Sequence, residues 1–189
     1  FKEYKILKRK VKQKGALDIG NPNLTLIKIE DLSDLKLVHK YKPEKTINYL
    51  INRYQKHPVY KYYFYGLRNH KNNILSIFII RKQIYSDRSC LRIIDIYGDI
   101  DNIESLKKQF EDLLSKENAE YIDVLNYGIS EKIFKKIGFS KLDFSSDNII
   151  IPNFFQPFVQ KNIKIEFSYI SKYEDFVIFR GDGDQDRPS

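Results

Sequence analysis

The sequence predicts an α/β protein with one mixed, largely antiparallel sheet, a central parallel strand pair and helices on both faces. Two largely apolar runs, residues 91–97 and 121–125, each contain one acidic residue, Asp95 and Asp123. Runs rich in β-branched residues are typical of parallel strands that are covered on both faces. Between them, apolar residues recur at helical spacing and predict a crossover helix that packs on the sheet: Leu106, Phe110, Leu113 and Leu114.

The chain before this pair predicts one strand and two helices. Residues 24–29 (LTLIKI) predict the first strand. A helix capped by Asp31 is predicted to run to about residue 40. A second helix is predicted from Glu44 and ends before Pro58, because the residue that precedes a proline disfavours the helical conformation.

The remaining elements follow in order. Short polar turns predict a meander of antiparallel neighbours formed by residues 60–67, 74–84 and 91–97. A short helix after the second central strand ends at Gly138. Two closing strands are predicted as a pair at residues 163–170 and 176–180.

Composition predicts a globular chain with one folded domain. Hydrophobic residues make up 42% and charged residues 31% of 189 residues. The domain is expected to span residues 24–189, with residues 1–23 as a basic linker or the tail of a missing N-terminal unit. The start at Phe1 and the absence of Met and Trp predict a piece of a longer polypeptide.

The net charge of +8 resides in residues 1–60, which hold 14 Lys and Arg against 6 Asp and Glu. A basic segment fits a nucleic-acid or membrane-surface patch, or a solvated strand edge that Lys protects from edge pairing. We favour the solvated edge, because one basic terminal segment is a weak signal for nucleic acid. The single Cys90 forms no disulfide framework and predicts a reducing, cytoplasmic location, and no apolar run is long enough to span a membrane.

The order of elements over residues 24–180 resembles the GNAT acyltransferase superfamily, together with the terminal signature IFKKIGF at residues 133–139. The chain looks closest to a bacterial group encoded with surface-polysaccharide genes and related to FemAB-type transferases. Several phrases carry this resemblance: RYQKHPVYKYYFYG (53–66), LRIIDIYGD (91–99), AEYIDVLNYGI (119–129), IPNFFQPF (151–158) and GDGDQDRP (181–188). Members of the group carry a further N-terminal acyltransferase-like half, which would be an intramolecular partner.

The resemblance implies that the two parallel strands splay apart at their C-terminal ends and hold acetyl-CoA or another acyl-CoA in the gap. The residues implied to line that gap are Ile96, Tyr97, Gly98, Asn126 and Tyr127. The pyrophosphate would rest on backbone amides at residues 98–103, where a helix begins. Substrate contacts are expected from Arg53, Tyr60, Arg92 and Arg187.

Two positions depart from the superfamily pattern. The expected pyrophosphate loop carries Asp99 and Asp101, which would repel a pyrophosphate and suit the cap of a helix instead. Phe134 stands where the superfamily often has a tyrosine as general acid, and it has no proton to give.

Asp95 and Asp123 have two interpretations. Either one is a general base that deprotonates an amine, with its pKa raised by burial or by its neighbour, or both pair with basic groups such as Arg92. His57, the third catalytic candidate, is favoured as a cap at the end of its helix over a catalytic role. No His/Cys cluster has metal-ligand spacing, so no metal is expected.

The function predicted first is transfer of an acyl group from acyl-CoA to an amine of a sugar or cell-surface polysaccharide precursor. The alternative is a non-catalytic GNAT-like half that binds a small-molecule or sugar-linked substrate, or supports a missing catalytic half. The polar tail, residues 182–187, is expected to pack over the ligand pocket. Its alternating carboxylates are a weak match to a Ca²⁺ loop, because no distal Glu follows.

Overall fold

The computed structural model describes residues 23–101, 103, 106–145, 149–151 and 161–183, and the backbone of residues 2–3 and 5–10. Its strands are β1 (Lys2–Glu3), β2 (Lys5–Lys10), β3 (Leu24–Ile29), β4 (Tyr63–Asn69), β5 (Ile74–Tyr85), β6 (Arg88–Gly98), β7 (Tyr121–Tyr127), β8 (Ser140–Lys141), β9 (Glu166–Phe167) and β10 (Ile178–Phe179). Its helices are α1 (Ile47–Leu50, continued by a π-helical turn at Ile51–Gln55), α2 (Lys107–Lys116) and α3 (Glu131–Lys136), with a 3-10 turn at Arg180–Asp182.

Within the described residues the main sheet has eight strands, in the order β3-β4-β5-β6-β7-β2-β8, with β10 paired to β7 outside this path. The pair β6–β7 is parallel, and the other pairs of this sheet are antiparallel. Helix α2 is the crossover between β6 and β7, and its buried Phe110, Leu113 and Leu114 face the sheet. The predicted fold class is confirmed.

The parallel ladder is short, and this creates a splay. It pairs Leu91 with Ile122 and ends where Ile93 meets Val124. Beyond that point β6 continues to Gly98 and β7 to Tyr127 without pairing to each other. The two central strands therefore separate at their C-terminal ends.

The helix predicted from Asp31 does not form. Asp31 accepts the backbone N–H of Ser33 at 3.0 Å, and its oxygen also accepts Gln55 Nε2 at 2.9 Å, which closes a local turn. Leu32 is fully buried in the apolar cluster beneath α1, and the carbonyl of Leu37 accepts the Tyr97 hydroxyl at 2.9 Å. Tertiary contacts thus decide the irregular conformation of this stretch, and they outweigh its helix propensity.

The two closing segments are not paired with each other, which corrects the prediction. β9 pairs with β1, whereas β10 pairs with β7. Strand β2, which the sequence placed in a linker or tail, lies between β7 and β8 and supplies hydrogen-bond partners to the outer edge of β7.

Candidate functional site at the splayed strand pair

The gap between the splayed strands holds the chain's own residues 178–182, which we name the closing segment. Its first part, β10, pairs with β7 through Phe179 opposite Asn126. Because Lys5 in β2 pairs with the other edge of the same Asn126, β10 occupies the edge that faces β6. A Cβ placed on Gly181 would lie 3.2 Å from the carbonyl oxygen of Ile94 in β6. The closing segment therefore contacts both central strands.

Gly181 is required by this close approach. A Cβ at this position would overlap the Tyr54 hydroxyl and lie 3.1 Å from Cγ2 of Ile94. The carbonyl of Gly181 accepts Nη2 of Arg53 at 2.8 Å. Arg53, expected to bind substrate, thus holds the closing segment.

A buried ionic cluster ties the closing segment to β6. Nζ of Lys45 lies 2.8 Å from both carboxylate oxygens of Asp95, and 2.8 Å from Oδ1 of Asp182. The Tyr54 hydroxyl donates to Oδ2 of Asp95 at 2.9 Å. Asp182 also accepts the backbone N–H of Phe179 at 2.9 Å, which closes the turn that the segment makes. Asp95 is fully buried, so the cluster is largely shielded from water.

Burial dominates the electrostatics of this cluster. It raises the pKa of Asp95 to about 6, although the charge of Lys45 acts in the opposite direction. Burial opposes the charged form of Lys45, but Asp95 and Asp182 outweigh it and the pKa of Lys45 is raised. Burial also raises the pKa of Tyr54, so its hydroxyl remains a donor. At neutral pH Lys45 is therefore an ammonium group that lies between the side chains of Asp95 and Asp182.

Asp123 lies in a second buried ionic group on β7. Its Oδ2 is 3.6 Å from Nε of Arg92 and 3.8 Å from Nη2 of Arg180, which follows β10. Burial opposes the charge of Arg92, but Asp123 outweighs it and the pKa of Arg92 is raised. Arg92 was expected to bind substrate, yet it is only 2% exposed and faces Asp123.

Both acidic residues that the sequence singled out therefore face basic side chains. The condition for a free catalytic carboxylate, that Asp95 or Asp123 lack a Lys or Arg partner, is not met. The two groups together balance three cations with three carboxylates: Lys45, Arg92, Arg180, Asp95, Asp123 and Asp182. This balance is what a buried ion-pair network requires.

The backbone amides at the end of β6 are already engaged. Gly98 donates its N–H to Nδ1 of His39 at 3.3 Å, and Asp99 donates to the carbonyl of Leu75 at 2.9 Å. The N–H of Asp101 donates to the Asp99 side chain at 3.0 Å, but Asp99 does not cap α2 as predicted, because the N-cap position of that helix is Leu106. Helix α2 begins only at Lys107, so its N-terminus does not lie at the expected pyrophosphate position.

The other expected acyl-CoA contacts are used within the fold. Ile96 and Asn126 are fully buried. Tyr97 stacks on His39 with ring centroids 5.0 Å apart, and Tyr127 packs edge-on against Phe167. Asn126 and Tyr127 pair with β10 of the closing segment.

His57 has a structural contact. Its Nδ1 accepts the backbone N–H groups of Val59 at 3.2 Å and Tyr60 at 2.9 Å, and its ring stacks on Tyr60. Tyr60 in turn carries the Arg81 guanidinium 4.3 Å from its ring centroid. His57 thus fixes the turn that follows α1 and lies apart from Asp95, with Tyr62 between them.

Sequence reasoning missed Lys45 and did not assign His39. His39 is partly buried near Lys45, and burial together with that charge lowers its pKa to about 4, so it is neutral at pH 7. Of the tail predicted to pack over the ligand pocket, Asp182 packs against Lys45, and residues 184–187 lie outside the described residues.

The described part of the chain has neither a metal-binding cluster nor a membrane-spanning helix. No group of three or more His, Cys, Asp or Glu side chains in it is arranged to hold a metal ion. None of its helices has the length and apolar character needed to cross a membrane.

The chain is similar in structure to a solved protein, although no sequence match is found. No family model matches the chain, and no curated protein matches it. Among solved structures, a GCN5-related N-acetyltransferase from Sphaerobacter thermophilus is similar, with 7% sequence identity and a TM-score of 0.45. The match covers 74% of this chain and 48% of the solved chain, so this chain spans about half the length of that protein. Nothing in this comparison concerns the surface-polysaccharide group that the sequence resembles.

Proposed function

We propose that this chain is a GNAT-like domain that does not itself bind acyl-CoA and acts as a substrate-binding or supporting half. The observation that carries this proposal is the position of residues 178–182 between β6 and β7. An acyl-CoA donor would need the same space and the same edge of β7.

The state of the catalytic parts supports the proposal. The amides of Gly98 and Asp99, which would steady the donor or an oxyanion, donate to partners within the fold. Phe134 is fully buried in α3, and it has no proton for a leaving thiolate. Asp95 and Asp123 both face basic side chains, so neither is a carboxylate without a Lys or Arg partner.

Displacing the closing segment would be costly. Exposing the fully buried Phe179 costs about 2 kcal/mol. Separating Lys45 from Asp182 costs about 1 kcal/mol more, because Asp95 remains as the partner of Lys45. A penalty of about 3 kcal/mol would weaken a donor that binds at about 10 μM to about millimolar affinity.

Calorimetric titration of this chain with acetyl-CoA tests the proposal. We expect no saturable binding at donor concentrations up to about 1 mM. The comparison variant is Gly181→Ala, in which the added methyl group should displace the closing segment. Circular dichroism checks that this variant folds. Micromolar binding to the unmodified chain would overturn the proposal.

The second candidate is the acyltransferase, moving an acyl group from acyl-CoA to the amine of a sugar or polysaccharide precursor. It is favoured by the pKa of Asp95, about 6, which suits a general base near neutral pH. In this function the closing segment would leave the gap and Asp95 would deprotonate the amine. Release of CoA thiol from acetyl-CoA with glucosamine as acceptor tests it. If turnover is detected and falls about 100-fold in Asp95→Asn, the acyltransferase function replaces the first proposal.

A further inference from the structure

A pocket of about 390 Å³ lies between two stretches of chain. One wall is Lys42, Pro43 and Glu44, and the other comprises Ile170, Ser171, Lys172, Tyr173 and Phe176. Its volume is within the range of small-molecule sites in proteins. Neither stretch includes a residue that the acyltransfer chemistry was expected to use.

The two walls are held together by the backbone. Lys42 donates its N–H to the carbonyl of Asp175 at 3.0 Å and accepts the N–H of Val177 at 2.6 Å. Gly128 allows the backbone of Phe176 to approach the end of β7: its φ is +96°, and a Cβ there would overlap the carbonyl oxygen of Phe176. The pocket is therefore a formed part of the fold.

A stack of aromatic rings stabilises the inner wall. Phe176 stacks on Tyr169 with centroids 4.6 Å apart, and the hydroxyl groups of Tyr169 and Tyr127 are 3.1 Å apart. Because Tyr127 belongs to the central strand β7, the wall is anchored to the sheet. Such preformed walls reduce the ordering that a ligand must impose.

The pocket carries two ammonium groups near one exposed ring. Nζ of Lys42 is 5.2 Å and Nζ of Lys172 is 5.3 Å from the ring centroid of Tyr173, which is 47% exposed. Both lie at cation–π distance, so the two like charges are held close to the same ring. A negatively charged ligand group near both would be stabilised by each of them.

The remaining lining residue with charge is Glu44. Its carboxylate is 76% exposed and lies 3.4 Å from Lys42, a weak contact. A carboxylate in a ligand pocket accepts hydrogen bonds from ligand hydroxyl groups. Glu174 and Asp175 follow on the same loop, but they do not line the pocket.

We propose that this pocket binds a monosaccharide that carries a phosphate or carboxylate group. The anion would contact Lys42 or Lys172 beside Tyr173, and ring hydroxyl groups would donate to Glu44. This site deepens the proposed function by naming the substrate class of the non-catalytic domain, and it does not depend on whether acyl-CoA binds.

Calorimetry with glucose 1-phosphate, glucuronate, glucose and AMP tests the proposal. We expect glucose 1-phosphate or glucuronate to bind, with glucose at least roughly tenfold weaker because it lacks the anion. The phosphate and carboxylate probes identify which anion the site takes. Binding of AMP more tightly than either sugar anion would overturn the assignment to a sugar.

Variants localise the binding. Lys172→Gln should weaken the sugar anion roughly three- to tenfold, while Lys36→Gln, an exposed lysine outside the pocket, should leave it unchanged. Glu44→Gln should weaken glucose, because its ring hydroxyl groups would lose a carboxylate acceptor. Absence of binding by both sugar anions, or binding indifferent to Lys172→Gln, would overturn this site without affecting the acetyl-CoA experiment.

Discussion

The ammonium of Lys45 lies 2.8 Å from the carboxylate of Asp182 and so joins the start of α1 to the closing segment in the splay. The same ammonium also lies 2.8 Å from Asp95 on β6. One side chain thus links three parts of the chain that are far apart in sequence. We expect this link to hold the closing segment in the gap between the central strands.

Lys45→Met should lower the free energy of unfolding by roughly 3–5 kcal/mol at pH 7, because two carboxylates would be left buried beside each other. The cost should be smaller at pH 5, where Asp95 can take up a proton. Urea unfolding measures both. Lys40→Met is the control, because its exposed pair with Asp99 should be worth less than about 1 kcal/mol. An equal, small effect of the two substitutions would contradict the role of Lys45 in holding the closing segment.

His39 should make the fold less stable in acid. Its pKa is lowered from 6.5 to about 4 in the folded state, so the stability it contributes is present above pH 6.5 and is lost as pH falls through 4. Because the residue is only partly buried, we expect the loss to be roughly 1–2 kcal/mol. His39→Asn, whose amide oxygen can still accept the N–H of Gly98, should remove this loss. Unfolding midpoints at pH 7, 5.5 and 4.5 measure this loss of stability. The same dependence of the midpoint on pH in the unmodified protein and in His39→Asn would refute the role of His39.

Gly181→Ala should destabilise the fold by roughly 1–3 kcal/mol, because the new methyl group would overlap the Tyr54 hydroxyl. The same substitution in a Tyr54→Phe background should cost less, because the overlapping oxygen is gone. Thermal unfolding of the four proteins of this cycle gives the coupling. Additive effects would show that the closing segment does not press against Tyr54.

The sequence predicted the sheet well because its signals are local. Residues 24–29 were predicted with the bounds that β3 has, and the apolar runs around Asp95 and Asp123 were correctly identified as the central parallel pair. The helix predicted at Asp31 was wrong because burial of Leu32 and contacts with Tyr97 decide that stretch.

The site was only half predictable. A carboxylate in a buried strand needs a partner, and this marked Asp95 from the sequence alone. Its partner Lys45 stands 50 residues earlier, in a segment with no unusual local pattern. The closing segment was predicted as a strand, but its insertion beside β7 depends on strand pairing across the whole chain. Long-range pairings of this kind leave no periodic signal.

Asp95→Asn should be less damaging than Lys45→Met, with a cost of about 1 kcal/mol at pH 7. Two effects oppose each other here. Lys45 loses one carboxylate, but Asp182 remains as its partner at 2.8 Å, and burial favours a neutral side chain at position 95. A cost larger than that of Lys45→Met would mean that the Asp95 carboxylate is the main anchor of the cluster.

The pH dependence of Asp95→Asn separates this account from a simple ion pair. The pKa of Asp95 is raised from 3.8 to about 6, so its stabilising contribution is fully present below pH 3.8 and is lost as pH rises through 6. A shift of this size corresponds to about 3 kcal/mol. The unmodified protein should gain this amount between pH 6.5 and 4 against the opposing effect of His39, whereas Asp95→Asn should show only the loss from His39. A variant curve parallel to that of the unmodified protein would refute the raised pKa. At pH 7 a small stability change is expected for Asp95→Asn whether Asp95 is structural or catalytic. Turnover with acetyl-CoA must therefore be measured on the same variant.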